Sequence, residues 1–330
     1  MDAPKIRWGI LGTGNIANKM ADALKSLNEA ELVAVGSRTQ QKADAFGDRH
    51  GVARRHGSYQ ALANDPEVDI VYVCTPHTLH AENSLLCLDG GKAVLCEKPF
   101  TVNAAQARAV ASRAREKGLF VMEAMWTRFL PAIRRCREIV RSGGIGEVRM
   151  LQADFGFRAG WDPQGRLLNP ELGGGGLLDV GVYTVSLAHL LLGTPERIES
   201  LAHIGETGVD EQSALLLGYP GGEIAILSSA VRTNTPHVAY VMGTEGMIRI
   251  PSFWCARELT VLAGGREERI EAGFSGNGFE FQAMEAMRCL REGLPESDTM
   301  PLDESIAIME TMDRARAQWG LRYPCEQSNF

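Results

Sequence analysis

From Lys5 to Leu27 the sequence permits few folds. Lys5-Ile6-Arg7-Trp8-Gly9-Ile10-Leu11 reads as a buried strand, Gly12-Thr13-Gly14-Asn15-Ile16-Ala17 follows without a gap, and Ala17, Met20, Ala21, Leu24 and Leu27 recur at helical spacing. A Gly-x-Gly-x-x-Ala turn alone is weak evidence, because glycine-rich turns are common. Between a strand and a helix, with a second strand following, it predicts a dinucleotide site. Gly12 then permits the tight turn, Gly14 lets a pyrophosphate approach the backbone, and Ala17 keeps helix and strand close. Asn15 and Ile16 open the helix, whose free N–H groups and positive dipole end suit phosphate.

The alternation continues downstream. Glu31–Gly36, Val68–Cys74, Ala93–Cys96 and Phe120–Met125 read as strands, with helices through Ala43 and Phe46 and over Ala104–Lys117. Strands alternating with helices imply a parallel, doubly wound sheet. After Met125 the pattern changes. A helix over Leu130–Arg141 stops at Ser142-Gly143-Gly144, and strands are expected at 148–157, 197–204, 213–219, 223–231, 238–242 and 247–250. Turns such as Pro220-Gly221-Gly222 and Thr244-Glu245-Gly246 between them suit a mostly antiparallel, open-faced sheet. Helices near 278–292 and 303–319 finish the chain. A length of 330 residues exceeds one ordinary core, so the reading is α/β plus α+β: a Rossmann domain over 1–125 and a substrate-binding domain over 126–330, with no low-complexity linker between them.

Composition removes several classes of function. A net charge of −7 argues against a nucleic-acid surface, and Arg54-Arg55 and Arg134-Arg135 are read as solvated helix or turn faces. The seven cysteines are widely spaced with no Cys-x-x-Cys pair, which suits reduced thiols and offers neither a disulfide frame nor a zinc site, so no metal is expected. The start lacks the features of a signal peptide, and the apolar stretch Gly173–Gly193 is interrupted by Asp179 and His189, so it does not read as a membrane span. Cytoplasm and a small-molecule substrate are the expectation.

The second strand ends Val35-Gly36-Ser37-Arg38-Thr39, where NAD sites usually carry a carboxylate for the ribose hydroxyls. None is present, and Arg38 offers a charge-assisted fork for a 2′-phosphate, so NADP is the expected cofactor. Further cofactor contacts are expected from Thr75, Pro76 and His80 after the central strand, and from Glu97 and Lys98 after the next. A lysine at a strand's carboxyl end can hydrogen-bond a substrate oxygen and favour a neighbouring phenolate, although most such lysines are surface residues. Asp179 and Tyr183, four residues apart in a helix predicted after Gly173-Gly174-Gly175-Gly176, should share one face, with Gly181 leaving room for a close neighbour. The plainer alternative is a capping aspartate and a core tyrosine.

Four motifs in order carry a family resemblance: Trp8-Gly9-Ile10-Leu11-Gly12-Thr13-Gly14, Glu97-Lys98-Pro99, Glu123-Ala124-Met125-Trp126-Thr127-Arg128-Phe129, and Gly173 through Tyr183. Together, and with a likeness reaching Tyr323-Pro324, they resemble the glucose–fructose oxidoreductase/inositol dehydrogenase family, nearest its dihydrodiol and NADP-dependent D-xylose dehydrogenase group. The resemblance implies hydride transfer between nicotinamide and a secondary alcohol or carbonyl of a sugar or trans-dihydrodiol. It equally admits the reverse chemistry on 1,5-anhydrofructose or a diketone. It further implies a homodimer through the C-terminal sheet. Many relatives place His where this chain has Tyr183, so Lys98 and Tyr183 become the implied catalytic pair, with Asp179 placing substrate or tuning the pair. Trp126, Arg128, Trp254 and Phe279 are candidates to line the substrate site, with core packing the plainer alternative for each.

Two other dehydrogenase designs are excluded. No Tyr is followed four residues later by Lys, and no Cys/His cluster has zinc-ligand spacing. A cofactor-binding regulator that has lost turnover remains the competing class, since a fold does not fix a function.

Overall fold

The computed structural model describes residues 4–326. The first sheet contains β1 (Ile6–Leu11), β2 (Ala30–Gly36), β3 (Arg54–His56), β4 (Ile70–Val73), β5 (Ala93–Glu97) and β6 (Val121–Ala124). Their order is β3-β2-β1-β4-β5-β6, and every pair is parallel. The intervening helices are α1 (Asn15–Lys25), α2 (Gln40–His50), α3 (Tyr59–Ala63), α4 (His80–Asp89) and α5 (Ala104–Lys117). β4 and β5 are buried at every position, as strands covered on both faces must be. The chain reverses its direction of winding between β1 and β4. Open α/β sheets bind ligands at the carboxyl ends of the strands at such a point.

The later elements are α6 (Pro131–Arg141), β7 (Val148–Gly156), α7 (Val182–Leu192), β8 (Arg197–Ile204), β9 (Asp210–Gly218), β10 (Ile224–Ala230), β11 (Ala239–Gly243), β12 (Gly246–Ile250), β13 (Glu258–Ala263), β14 (Arg266–Glu271), α8 (Phe279–Glu292) and α9 (Leu302–Trp319). The eight strands form one sheet in the order β14-β13-β12-β11-β7-β10-β9-β8. Only β7 and β10 run parallel. α7 packs against β7 and β10 and covers one face. The stretch Pro170–Leu192 is long and apolar enough to cross a membrane, but 83% of its most apolar window is buried within the fold.

The chain divides into two compact units. One runs to Trp126 and takes in Ser275–Ser305; the other holds Thr127–Phe274 and the chain from Ile306 onward. The sequence reading put everything after residue 125 in a single domain, whereas α8 joins the first unit. Its apolar face (Phe279, Ala283, Ala286, Met287) is buried, α8 packs against α1, Asn277 donates to the Lys19 carbonyl at 2.8 Å, and Arg291 pairs with Glu29 at 2.7 Å.

Three strands departed from expectation. Arg54 and Arg55 lie on edge strand β3, not on a helix or turn, and each is paired: Arg54 with buried Asp65 and Arg55 with Asp48, both at 2.6 Å. β13 and the charged β14 were not expected as strands at all. Arg134 and Arg135 lie on α6 and are exposed, as read.

Candidate functional site

In the first unit, β1 delivers the chain to Gly12, which adopts φ +118°; a Cβ there would stand 2.8 Å from the Cys74 carbonyl oxygen. The fold itself therefore demands this glycine. Gly14 is different. It caps α1 in an extended conformation with no side-chain bond, and a Cβ there would meet nothing within 4 Å. Nothing among the described residues crowds Gly14, while the space beside it and the first N–H groups of α1 suit a phosphate pressed against backbone. Asn15 is exposed, Ile16 half-buried, and Ala17 fully buried where helix meets strand.

Ser37 and Arg38 leave the end of β2. Ser37 is buried, donates its backbone N–H to the His56 carbonyl at 3.0 Å, and places its Oγ 3.5 Å from Thr13 Oγ1. Arg38 is exposed and has no ion pair or hydrogen bond among the described residues, in contrast with Arg54 and Arg55 of the adjoining strand. An uncommitted guanidinium at the carboxyl edge, two strands from β4, is free to take an anion.

After β4, Thr75 is buried and its Oγ1 accepts from Asn83 at 3.1 Å; Pro76 is half-buried. His80, expected among the cofactor contacts, is turned inward. It is 1% exposed, with Nε2 at 2.9 Å from the Thr75 carbonyl and Nδ1 at 2.8 Å from the Pro99 carbonyl. Burial pushes its imidazole down to about 4, with the Lys98 charge acting the same way. At neutral pH the neutral ring carries one N–H and donates to one of these two carbonyls, packed between the chain after β4 and the chain after β5.

Glu97 is also held inside: Tyr72 donates its hydroxyl to Oε1, and the Lys98 backbone N–H reaches Oε2 at 3.2 Å. Lys98 stands half-buried at the carboxyl end of β5, and the bond to Pro99 is cis. Gly12, Ser37, Thr75 and Lys98 thus follow four adjacent strands, β1, β2, β4 and β5, on one edge. Trp126 and Phe279, both almost fully buried in this unit, stack on one another with centroids 5.0 Å apart.

In the second unit, residues Leu177–Gly181 form a π-helical turn that runs into α7. The shared face expected for Asp179 and Tyr183 rested on α-helical spacing; the run between them is π-helical, a geometry in which residues four apart still lie on one side. Asp179, 4% exposed, accepts from Arg166 at 2.7 Å; Tyr183, 7% exposed, meets Phe155 edge-on at 5.3 Å. Phe155 in turn stacks on Trp254 at 5.0 Å and touches His237 at 5.0 Å. The close neighbour that Gly181 admits is Ser229 of β10, whose Oγ would lie 3.0 Å from a Cβ. Arg128 is buried and donates to the Ser186 hydroxyl and carbonyl at 2.8 and 2.9 Å, so it anchors α7 from below and is not available as the substrate contact expected of it.

Sequence reasoning missed Arg166, Phe155 and His237. Phe155 was findable, since it continues the inward alternation Leu151, Ala153, Phe155 along β7. Arg166 and His237 lie in irregular segments with no periodic signal.

The fold and site define a class: an oxidoreductase with a nicotinamide-nucleotide Rossmann unit and a second unit built on an open sheet. Family comparison agrees throughout. The model described as "Oxidoreductase family, NAD-binding Rossmann fold" matches residues 6–125, and that of the GFO/IDH/MocA C-terminal domain matches 133–249. The chain belongs to the Gfo/Idh/MocA family of oxidoreductases. It is 40% identical to mouse trans-1,2-dihydrobenzene-1,2-diol dehydrogenase, over 97% of this chain and 98% of the relative. To the human enzyme of that name it is 36% identical, over 97% and 98%. Among solved structures it is similar to the aldose-aldose oxidoreductase of Caulobacter crescentus (TM-score 0.88, 27% identity, 96% and 98% covered). A 3-ketoreductase of Actinomadura kijaniata, solved with NADP and TDP-benzene, has TM-score 0.85 at 27% identity, with 95% and 97% covered.

Proposed function

We propose that this oxidoreductase uses NADP and acts on a secondary alcohol or its carbonyl in a trans-dihydrodiol or a sugar. The near full-length similarity to dihydrodiol dehydrogenases is the observation that carries the substrate class. The aldose-aldose oxidoreductase neighbour keeps sugars within it, and the 3-ketoreductase keeps a carbonyl substrate within it. For the cofactor, Arg38 without a partner supports a 2′-phosphate, and the open space at Gly14 with the N-terminus of α1 supports the pyrophosphate. When bound, the nicotinamide supplies the hydride acceptor or donor.

In this reading Tyr183 passes the substrate's hydroxyl proton, and the Lys98 ammonium holds the substrate oxygen and favours the phenolate. Asp179, kept in place by Arg166, orients substrate. Variants of the same 3-ketoreductase have been solved with a lysine and with a tyrosine replaced, at nearly the separation of Lys98 and Tyr183, which supports the pairing. The decisive experiment follows NADPH absorbance with trans-dihydrodiols and D-xylose in one direction, and diketones and 1,5-anhydrofructose in the other. Turnover with a member of either alcohol class is the expected result. NADPH binding without turnover on any of them would make the chain a cofactor-binding regulator.

The working form in this reading is a homodimer joined through the sheet face that α7 leaves uncovered. Ile224, Met150, Met242, Met247 and Leu262 stand in register across five strands, with exposed Ile226 and Leu216 in the next row. A row of that length is more apolar surface than a monomer usually leaves to water, and a second copy presents the matching row. The seven free cysteines support a reducing, cytoplasmic setting.

A further inference from the structure

The helical run that carries Asp179 and Tyr183 starts in the interior. Leu177 is fully buried, and Gly176 before it offers no side chain to cap the first N–H groups. Uncapped N–H groups at a buried helix start are costly. The cap comes from another element: Asp210, the first residue of β9 and 33 positions away, accepts the Leu177 N–H on Oδ2 at 2.7 Å. The glycines admit it. Gly175 sits at φ +114°, where a Cβ would stand 2.2 Å from Asp210 Oδ1, and a Cβ on Gly176 would stand 3.4 Å from Oδ2. The glycine run is thus shaped around a carboxylate.

That carboxylate is an expensive choice. Asp210 is 0% exposed, and its Oδ1 has no hydrogen-bond partner among the described residues. The nearby Tyr323 hydroxyl donates to the Gly174 carbonyl instead, at 2.7 Å. Arg316 from α9, under the Tyr323 ring, is itself paired with Asp313 and Glu326. A neutral side chain would cap one N–H with less desolvation.

We propose that Asp210 is the positioning residue for Tyr183: its carboxylate, entering through the gap at Gly175 and Gly176, fixes the π-turn and so the place of the phenol. This rests on Tyr183 being the proton-transfer group. Burial pushes the Asp210 carboxyl up to about 7, against the pull of the Leu177 and Gly176 N–H groups and of Arg316. The charged and titratable groups around it are Arg316 with its partners Asp313 and Glu326, and the Tyr323 phenol. A carboxyl whose pKa is raised in its buried seat holds its proton more tightly there than in water, so the seat weakens and the turn loosens as pH rises through neutrality.

The test compares Asp210→Ala and Asp210→Asn, each with and without Tyr183→Phe, by kcat, cofactor Kd and thermal melting. Asp210→Ala should lower kcat about tenfold or more while leaving cofactor Kd within about twofold, and that loss should vanish in the Tyr183→Phe background because coupled residues are not additive. The ratio of wild-type to Asp210→Asn kcat should fall about threefold between about pH 6 and 8, as the carboxyl ionises. An alanine loss of equal size in both backgrounds, or a ratio flat in pH, overturns the proposal. If the alanine variant does not fold, the asparagine ratio decides alone. A Tyr183→Phe single variant with undiminished turnover would instead overturn the reading of Tyr183, and this proposal with it.

Discussion

Gly12 and Gly14 look alike in the sequence, yet the fold needs the first and leaves open space beside the second. The contrast lies in what a methyl group would meet: the Cys74 carbonyl at 2.8 Å in the first case, open space in the second. Arg38 belongs to the same logic, being a cation with no ion pair or hydrogen bond among the described residues. A charge-assisted contact contributes roughly 1.5–3 kcal/mol, so Arg38→Ala should weaken NADP binding by about ten- to a hundredfold and hardly alter NAD. Fluorescence titration with both cofactors measures this, and equal wild-type affinity for the two would refute the preference. These glycines, Arg38, Lys98 and Tyr183 were singled out from signals that are local in the sequence. Which way His80 and Arg128 turn was not legible, because a sequence does not give a side chain's direction. Both turned toward backbone carbonyls or a hydroxyl that burial had left in need of a donor.

At the scale of elements, periodicity found the buried strands and failed at the edges. β3 (Arg-Arg-His) and β14 (Arg-Glu-Glu-Arg-Ile-Glu) are edge strands whose charges keep them from pairing with other chains, so no apolar alternation marks them. The π-turn at Leu177–Gly181 was hidden for another reason, since it depends on Asp210, 33 positions on. Two links between elements are buried histidines. His80 packs between the ends of β4 and β5, and His189 of α7 meets Thr311 of α9 at 2.9 Å. Burial pushes the first down to about 4 and the second down to about 3, from 6.5. A depressed histidine contributes stability that is present above its unfolded value and lost as pH falls through the folded one. The protein should therefore lose stability between pH 6.5 and about 4. His80→Gln, which keeps a donor but cannot titrate, should lose less over that window than wild type. Urea midpoints at several pH values would show it, and parallel curves would argue that His80 is not held neutral.

For the whole molecule, the order of elements and the two-part plan were readable from Gly12 to Trp319. The placement of α8 in the first unit was not, because an amphipathic helix announces that it will be covered without saying by what. The open sheet face makes the next prediction. Ile226→Glu puts a charge in the middle of that face at a position already 40% exposed, so it should leave the fold intact and yield a monomer. Light scattering at micromolar concentration should find a wild-type dimer, and a wild-type monomer unchanged by dilution would contradict the proposed interface.

The central claim is that Tyr183 carries the proton of an alcohol–carbonyl interconversion assisted by Lys98. A free tyrosine, with a pKa near ~10, is a poor base at neutral pH, and a nearby ammonium improves it. Positioned acid–base catalysis contributes about 10²–10⁴-fold. The most direct measurement is the pre-steady-state rate of hydride transfer in Tyr183→Phe with NADP saturating. A fall of about 10²–10⁴-fold with cofactor binding preserved is the result this account predicts. A chemical step within about threefold of wild type, far below that range, would mean the proton leaves by another route.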